Sequence, residues 1–208
     1  MRRIRIVVAY DGTNYCGWQI QPNGITIEEI LNRQISKLTG EDIRIIGASR
    51  TDSGVHALGN VAVFDTESRI PGDRFAYALN QKMPEDIVIV RSDEVQIDWH
   101  PRYQNEISKT YEYHIYNAKV RNPLKNRYST FVSFDLDVKK MRQGAKYILG
   151  EHDFASFCNV RTNAKDTVRT VHEITITEIP MDKFQASNWG QENSNLENEK
   201  EIVIRVTG

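Results

Sequence analysis

GASRTDSGVHA, residues Gly47–Ala57, lies between IRII (Ile43–Ile46) and NVAVF (Asn60–Phe64). Both flanks are apolar or alternating, as strands are, so the polar block reads as a loop carried by two strands. It gathers Arg50, Thr51, Asp52 and His56 into one short connection. Such a loop is either a site or a turn closed by a local salt bridge between Arg50 and Asp52. The rest of the chain has to decide.

Upstream, RRIRIVVAY (2–10) reads as a strand entering a core, and Asp11-Gly12 turns the chain into the aromatic, amide-rich loop TNYCGWQIQPNG. Thr26 and Glu29 fit a capping box, Ile27, Ile30, Leu31, Ile35 and Leu38 keep one helical face apolar, and Gly40 closes the helix. A strand at 43–48 leads into the polar loop, and one at 60–65 leads out of it. Pro71 opens a second helical pattern with Phe75 and Leu79 one turn apart, Met83-Pro84 closes it, and IVIV (87–90) is a further strand. The order β-α-β-β-α-β is the split βαβ arrangement of ferredoxin-like and RRM-like domains.

The second half restarts with the alternating strand SKTYEYHIY (108–116) and continues through a long basic connection (117–134). Asp137 is the expected cap of a helix with Val138, Met141, Ala145, Ile148 and Leu149 on one face and Gly150 at its end. The loop EHDFASFC follows, then strands near 168–179 and 201–206, with a polar, turn-rich linker between 180 and 200 that reads as a mobile hairpin loop or as disordered. This is β-α-β-β, one helix and one strand short of a second copy. The fold class is therefore α+β: two ferredoxin-like subdomains with antiparallel sheets, 1–103 and 104–208, the second incomplete.

The 208 residues carry a net charge of −1, which excludes a uniformly basic nucleic-acid binder but not a local patch. Residues 119–142 supply that patch: Lys119, Arg121, Lys125, Arg127, Lys139, Lys140 and Arg142, followed by Arg161, Lys165 and Arg169. With Tyr116, Tyr128, Phe131 and Phe134 interleaved, the run suits a phosphate-binding groove. No stretch approaches the ~18 apolar residues of a membrane span, and the apolar part of the start is too short for a signal peptide. Cys16 and Cys158 stand apart without a CxxC, so free thiols in a reducing cytoplasm are expected and no zinc site. His152 and Asp153 have no third ligand near them in sequence, so a structural role is expected for both.

With these motifs in order, the chain resembles the tRNA pseudouridine synthase A family. GASRTDSGVHA is similar to its GRTDxGVHA signature, YDGTNYCGWQIQ to its opening, WHPR (99–102) to its F-H-A-R segment, SKTYEYHIYN to its (R/K)xYxYxI strand, and GEHDFASF to its G-x-x-D-F-x-S-F loop. Ser49 stands where the family usually has glycine. The family also continues with a helical segment that this sequence lacks, so the second subdomain is expected to be truncated.

The resemblance implies an isomerase that converts uridines of the tRNA anticodon stem-loop (positions 38, 39 and 40) to pseudouridine. It implies a homodimer whose partner is tRNA, without a membrane. The reaction moves the glycosidic bond from N1 to C5 of uracil without electron transfer, so it requires no cofactor and no metal. An ionised carboxylate is required, and the resemblance makes Asp52 the catalytic aspartate, acting on the sugar either by addition or by proton abstraction. Arg50 would help to keep it anionic and fill the gap left by the flipped uridine. Tyr111 would stack on the uracil, while Thr51 and His56 complete the substrate-binding set, His56 by orienting the loop.

A hydrolase built on Ser49 or Ser53 with His56 and Asp52 fits poorly, because GASRT is not GxSxG. The stronger rival is a truncated, non-catalytic RNA-binding paralogue, since RRM-like domains share the element order.

Overall fold

The structure, a computed structural model, describes residues 1–103, 108–158, 166–180 and 199–208. It divides into two compact units, Met1–Ile107 and Ser108–Gly208. Within the first, β1 (Arg2–Tyr10), α1 (Ile27–Thr39), β2 (Ile46–Gly47), β3 (Ala57–Thr66), α2 (Phe75–Asn80) and β4 (Ile87–Val95) follow in turn. The sheet order is β2-β3-β1-β4 with every neighbour antiparallel, the order of a split βαβ domain.

Alternation along β1 sends Ile4, Ile6 and Val8 into the core. There they meet Ala62 and Phe64 of β3, Ile87 and Ile89 of β4, the Ile27, Ile30, Leu31 and Ile35 face of α1, and Phe75 and Leu79 of α2. Phe64 and Phe75 meet edge to face, 5.3 Å between centroids. The α1 boundaries follow the sequence: the Thr26 hydroxyl accepts from Glu29 N–H at 3.3 Å, and Gly40 closes the helix at φ 77°. On the opposite sheet face Arg3 forks onto Asp65 and Arg5 onto Asp93, so the arginines of β1 are paired rather than wasted.

The strand expected at 43–48 shrinks to Ile46–Gly47. Its preceding amides are taken by α1 instead of a ladder: Ile43 N–H donates to the Ser36 hydroxyl and Ile45 N–H to the Asn32 side-chain oxygen, both at 2.9 Å. Ile43 and Ile45 still bury, which is why the apolar pattern mimicked a strand. Downstream, β3 begins at Ala57, three residues earlier than its apolar run.

The second unit contains β5 (Thr110–Asn117), β6 (Thr130–Val132), α3 (Val138–Ala145), β7 (Gly150–Asp153), β8 (Val168–Val171), β9 (Glu173–Pro180) and β10 (Lys200–Thr207). Its main sheet runs β6-β5-β10-β9, antiparallel except for β6, which lies parallel to β5. The short β6 was hidden in the basic connection. It is tied down by the buried Asn117 side chain, which donates to the Val132 and Phe134 carbonyls at 2.9 and 2.8 Å and accepts from Leu136 N–H at 3.2 Å. The core is small: Ile115, Val138 and Ile202, with Met141, Ile176 and Ile204 half-buried around them.

Three expectations are corrected here. Helix α3 has its Asp137 cap but ends at Ala145, and Ile148 and Leu149 are 39% and 47% exposed. Gly144 weakens that last turn, and the Lys146 N–H is shared between the Gln143 and Gly144 carbonyls. EHD is not loop but part of β7, paired with β8, and the run 168–179 breaks at His172, whose N–H turns to the Thr207 carbonyl at 2.8 Å. The linker at 181–198, with Arg161 and Lys165 of the basic patch, lies outside the described residues.

Candidate active site

The Ser49–His56 loop leaves β2 and enters β3 with its backbone tied at nearly every step. Ala48 N–H donates to Val61 at 2.7 Å, and the buried Asn60 amide brackets Ser49, accepting its N–H at 3.3 Å and donating to its carbonyl at 3.1 Å. Thr51 is held at both ends: its hydroxyl meets Tyr10 Oη at 2.8 Å, and its carbonyl accepts Trp18 N–H at 3.0 Å. Gly54 N–H and the Ser53 hydroxyl donate to the Tyr15 carbonyl at 3.3 and 3.2 Å, and Val55 N–H closes a turn on the Asp52 carbonyl at 3.2 Å. Burial pushes the Tyr10 phenol above its ordinary range, so the hydroxyl that meets Thr51 stays protonated.

The clamp comes from the opening loop, and it depends on two glycines. Gly17 has φ 84°, and a Cβ there would stand 2.6 Å from the Thr51 carbonyl oxygen; at Gly12 it would stand 2.0 Å from that of Val55. Trp18, 1% exposed, and Tyr10 lie beneath with ring centroids 6.0 Å apart. His56 closes the loop against the same segment. Its Nδ1 accepts the Gly12 N–H at 3.2 Å and sits 3.0 Å from an Asp11 carboxylate oxygen. The first contact needs a neutral ring with its proton on Nε2, whereas a protonated ring would donate to Asp11 instead.

Arg50 and Asp52 are both exposed, and no ion pair joins them among the described residues. The turn-with-salt-bridge reading is thereby removed: backbone and buried neighbours fix the loop, and the two charged side chains are left for solvent. The Asp52 carboxylate is thus exposed on a backbone held by hydrogen bonds from its neighbours.

Arg102 was not singled out in the sequence. Its Nε donates to the Gly47 carbonyl at 2.7 Å, pinning the loop where it leaves β2, while its own N–H bonds the His100 ring at 3.1 Å. Only its place in WHPR hinted at this, since a contact 55 positions distant in sequence has no local signature.

The structure thus gathers Arg50, Thr51, Asp52 and His56 into one loop of the first unit. Tyr111 belongs to the second, on β5 opposite Val206, and is 59% exposed on the same sheet face as Ile115. In the basic run, four cations are already paired: Lys119 with Asp135, Lys125 with Glu201, Lys140 with Asp137 and Arg142 with Glu178. Arg121 lies over the Phe131 ring. The phosphate-binding groove expected from this basic run therefore has fewer uncommitted cations among the described residues than the sequence offers. His152 bonds the Leu149 carbonyl, and Asp153 accepts from Ala155 N–H and the Thr167 hydroxyl, so both hold local structure.

The model of a family described as tRNA pseudouridine synthase matches residues 6–104 and 145–207. Tyr111 and the whole basic connection fall between those spans. The tRNA pseudouridine synthase A of Acetivibrio thermocellus is 47% identical over 191 residues, covering 91% of this chain and 78% of the relative. That of Thermoanaerobacter pseudethanolicus is 45% identical over 176 residues (85% and 72%), and that of Brevibacillus brevis 44% over 179 (86% and 73%).

Proposed function

Because the chain belongs to the tRNA pseudouridine synthase family, we propose that it isomerises uridines of the tRNA anticodon stem-loop to pseudouridine. The observation that carries the reading is the clamped Ser49–His56 loop, which holds the Asp52 carboxylate exposed on a fixed backbone. The C1′–N1 bond of the uridine breaks, the uracil turns, and a C1′–C5 bond forms. N1 ends with a proton and C5 gives one up, so atoms and charge balance without a redox partner.

Asp52 is the catalytic carboxylate acting on the flipped nucleotide. Flipping leaves a gap in the RNA stack, and the uncommitted planar guanidinium of Arg50 fits it, stacking and donating hydrogen bonds at once. Thr51 and His56 act by fixing the loop that presents these two. The exposed ring of Tyr111 stacks on the turned uracil. The reading includes a homodimer and the cytoplasm, where tRNA is modified.

Incubation with an unmodified tRNA transcript, followed by mapping of pseudouridine, tests it. Modification is expected at positions 38, 39 and 40. Binding without any pseudouridine would favour the non-catalytic paralogue, and pseudouridine confined to other regions would reject the stem-loop assignment.

A further inference from the structure

A recess of about 380 Å³ opens on the helical side of the first unit, between α1 and the turn that leads from α2 to β4. Its size is at the lower end of the roughly 300–1,000 Å³ found for small-molecule sites, enough for one nucleotide and too small for a duplex. The wall is mixed: Ile30 and Met83 are apolar, Asn14 and Gln34 offer amides, and Arg33 and Lys82 stand at it as cations. Both cations are exposed, and among the described residues neither has an ion-pair or hydrogen-bond partner. The nearby carboxylate, Asp86, is already engaged, accepting from Tyr15 Oη at 2.6 Å and Asn14 Nδ2 at 3.4 Å. Neither cation forms an ion pair with it among the described residues.

An apolar surface, two amides and two unneutralised cations match the parts of one nucleotide: a base face, a base edge and a phosphate. The recess is also joined to the reaction loop. Tyr15 forms part of its wall, and the Tyr15 carbonyl receives the Ser53 hydroxyl and Gly54 N–H immediately after Asp52. We propose that this recess holds an unpaired nucleotide of the substrate RNA, its phosphate between Arg33 and Lys82 and its base against Ile30 and Met83. The proposal rests on tRNA being the substrate, and it adds an anchoring point outside the loop that carries Asp52.

The test is equilibrium binding of unmodified tRNA to the full chain across a salt series. The Arg33→Gln/Lys82→Gln double variant is set beside a control, Arg44→Gln/Arg69→Gln, which removes two exposed arginines elsewhere on the same unit. The recess pair is expected to weaken binding about 5–10-fold and to lower the slope of log K against log salt by about 1, the scale of one lost phosphate contact. The control should lose less than half as much, and the charge-keeping exchange Arg33→Lys/Lys82→Arg should restore most of the affinity. Equal losses in the recess and control pairs would overturn the recess while leaving the synthase reading intact. Failure of the unaltered chain to bind tRNA at all would overturn both.

Discussion

Asp52 owes its position to groups that never touch it. The carbonyl of Thr51, the carbonyl of Tyr15 and the side chain of Asn60 fix the backbone on either side, so the carboxylate is presented without being paired. Gly17→Ala should therefore cost about 1–3 kcal/mol, since the new Cβ meets the Thr51 oxygen and the residue is held at positive φ. A lowered thermal midpoint and a slower single-turnover rate together would show it; an unchanged midpoint would mean that the clamp is not tight. Arg102→Ala removes a charge-assisted bond to Gly47, worth roughly 1.5–3 kcal/mol, and should slow turnover at least about tenfold while the KM for tRNA moves little. A change confined to KM would instead make Arg102 an RNA contact. The polar loop and its flanks were legible in the residues themselves, and only the family resemblance singled out Asp52 within it. The clamp was not, because Gly12, Gly17 and Arg102 act through approaches that only the folded chain creates.

At the scale of elements, the caps were written in the sequence and the lengths were not. Thr26, Gly40 and Asp137 stand where their residue types place them, whereas β2 shortened because Asn32 and Ser36 captured its amides. Helix α3 stopped early at Gly144-Ala145. No atom lies within 4 Å of a Cβ added at Gly144, so Gly144→Ala should stabilise α3 by about 0.5–1 kcal/mol, read as a higher denaturation midpoint. Strands β5 and β10 are cross-linked on one face by Glu112 with Arg205, and by Glu201 with His114 and Lys125. The hydrogen bond from Arg205 lowers the Glu112 carboxyl below its ordinary 4.5, and the one from His114, aided by Lys125, does the same for Glu201. Lowered folded values mean that this stabilisation is fully present above pH 4.5 and is lost as pH falls through them. The thermal midpoint should hold from pH 7 to about 5 and drop below 4.5, with the difference between wild type and Glu112→Gln shrinking over the same interval. A difference that stays constant down to pH 3 would contradict the assignment.

For the whole molecule, alternation and element order were enough to read two split βαβ units, the second incomplete, and in the first unit the sheet order β2-β3-β1-β4 is the result. Charge was harder to read. A basic run in the sequence says nothing of which carboxylates fold beside it, and Asp135, Asp137, Glu178 and Glu201 neutralise much of it. The chain spans 72–78% of the length of the three relatives described above, and its Ser49–His56 loop lies within the matched span. On the proposed reading, this loop presents Asp52 for isomerisation of tRNA uridine. Release of tritium from tRNA carrying 5-labelled uridine measures the loss of the C5 proton directly. Wild-type protein should release label, and Asp52→Ala should release it roughly 10²–10⁴-fold more slowly, the scale set by loss of a reacting acid–base group. Equal release rates from the two proteins would contradict the account.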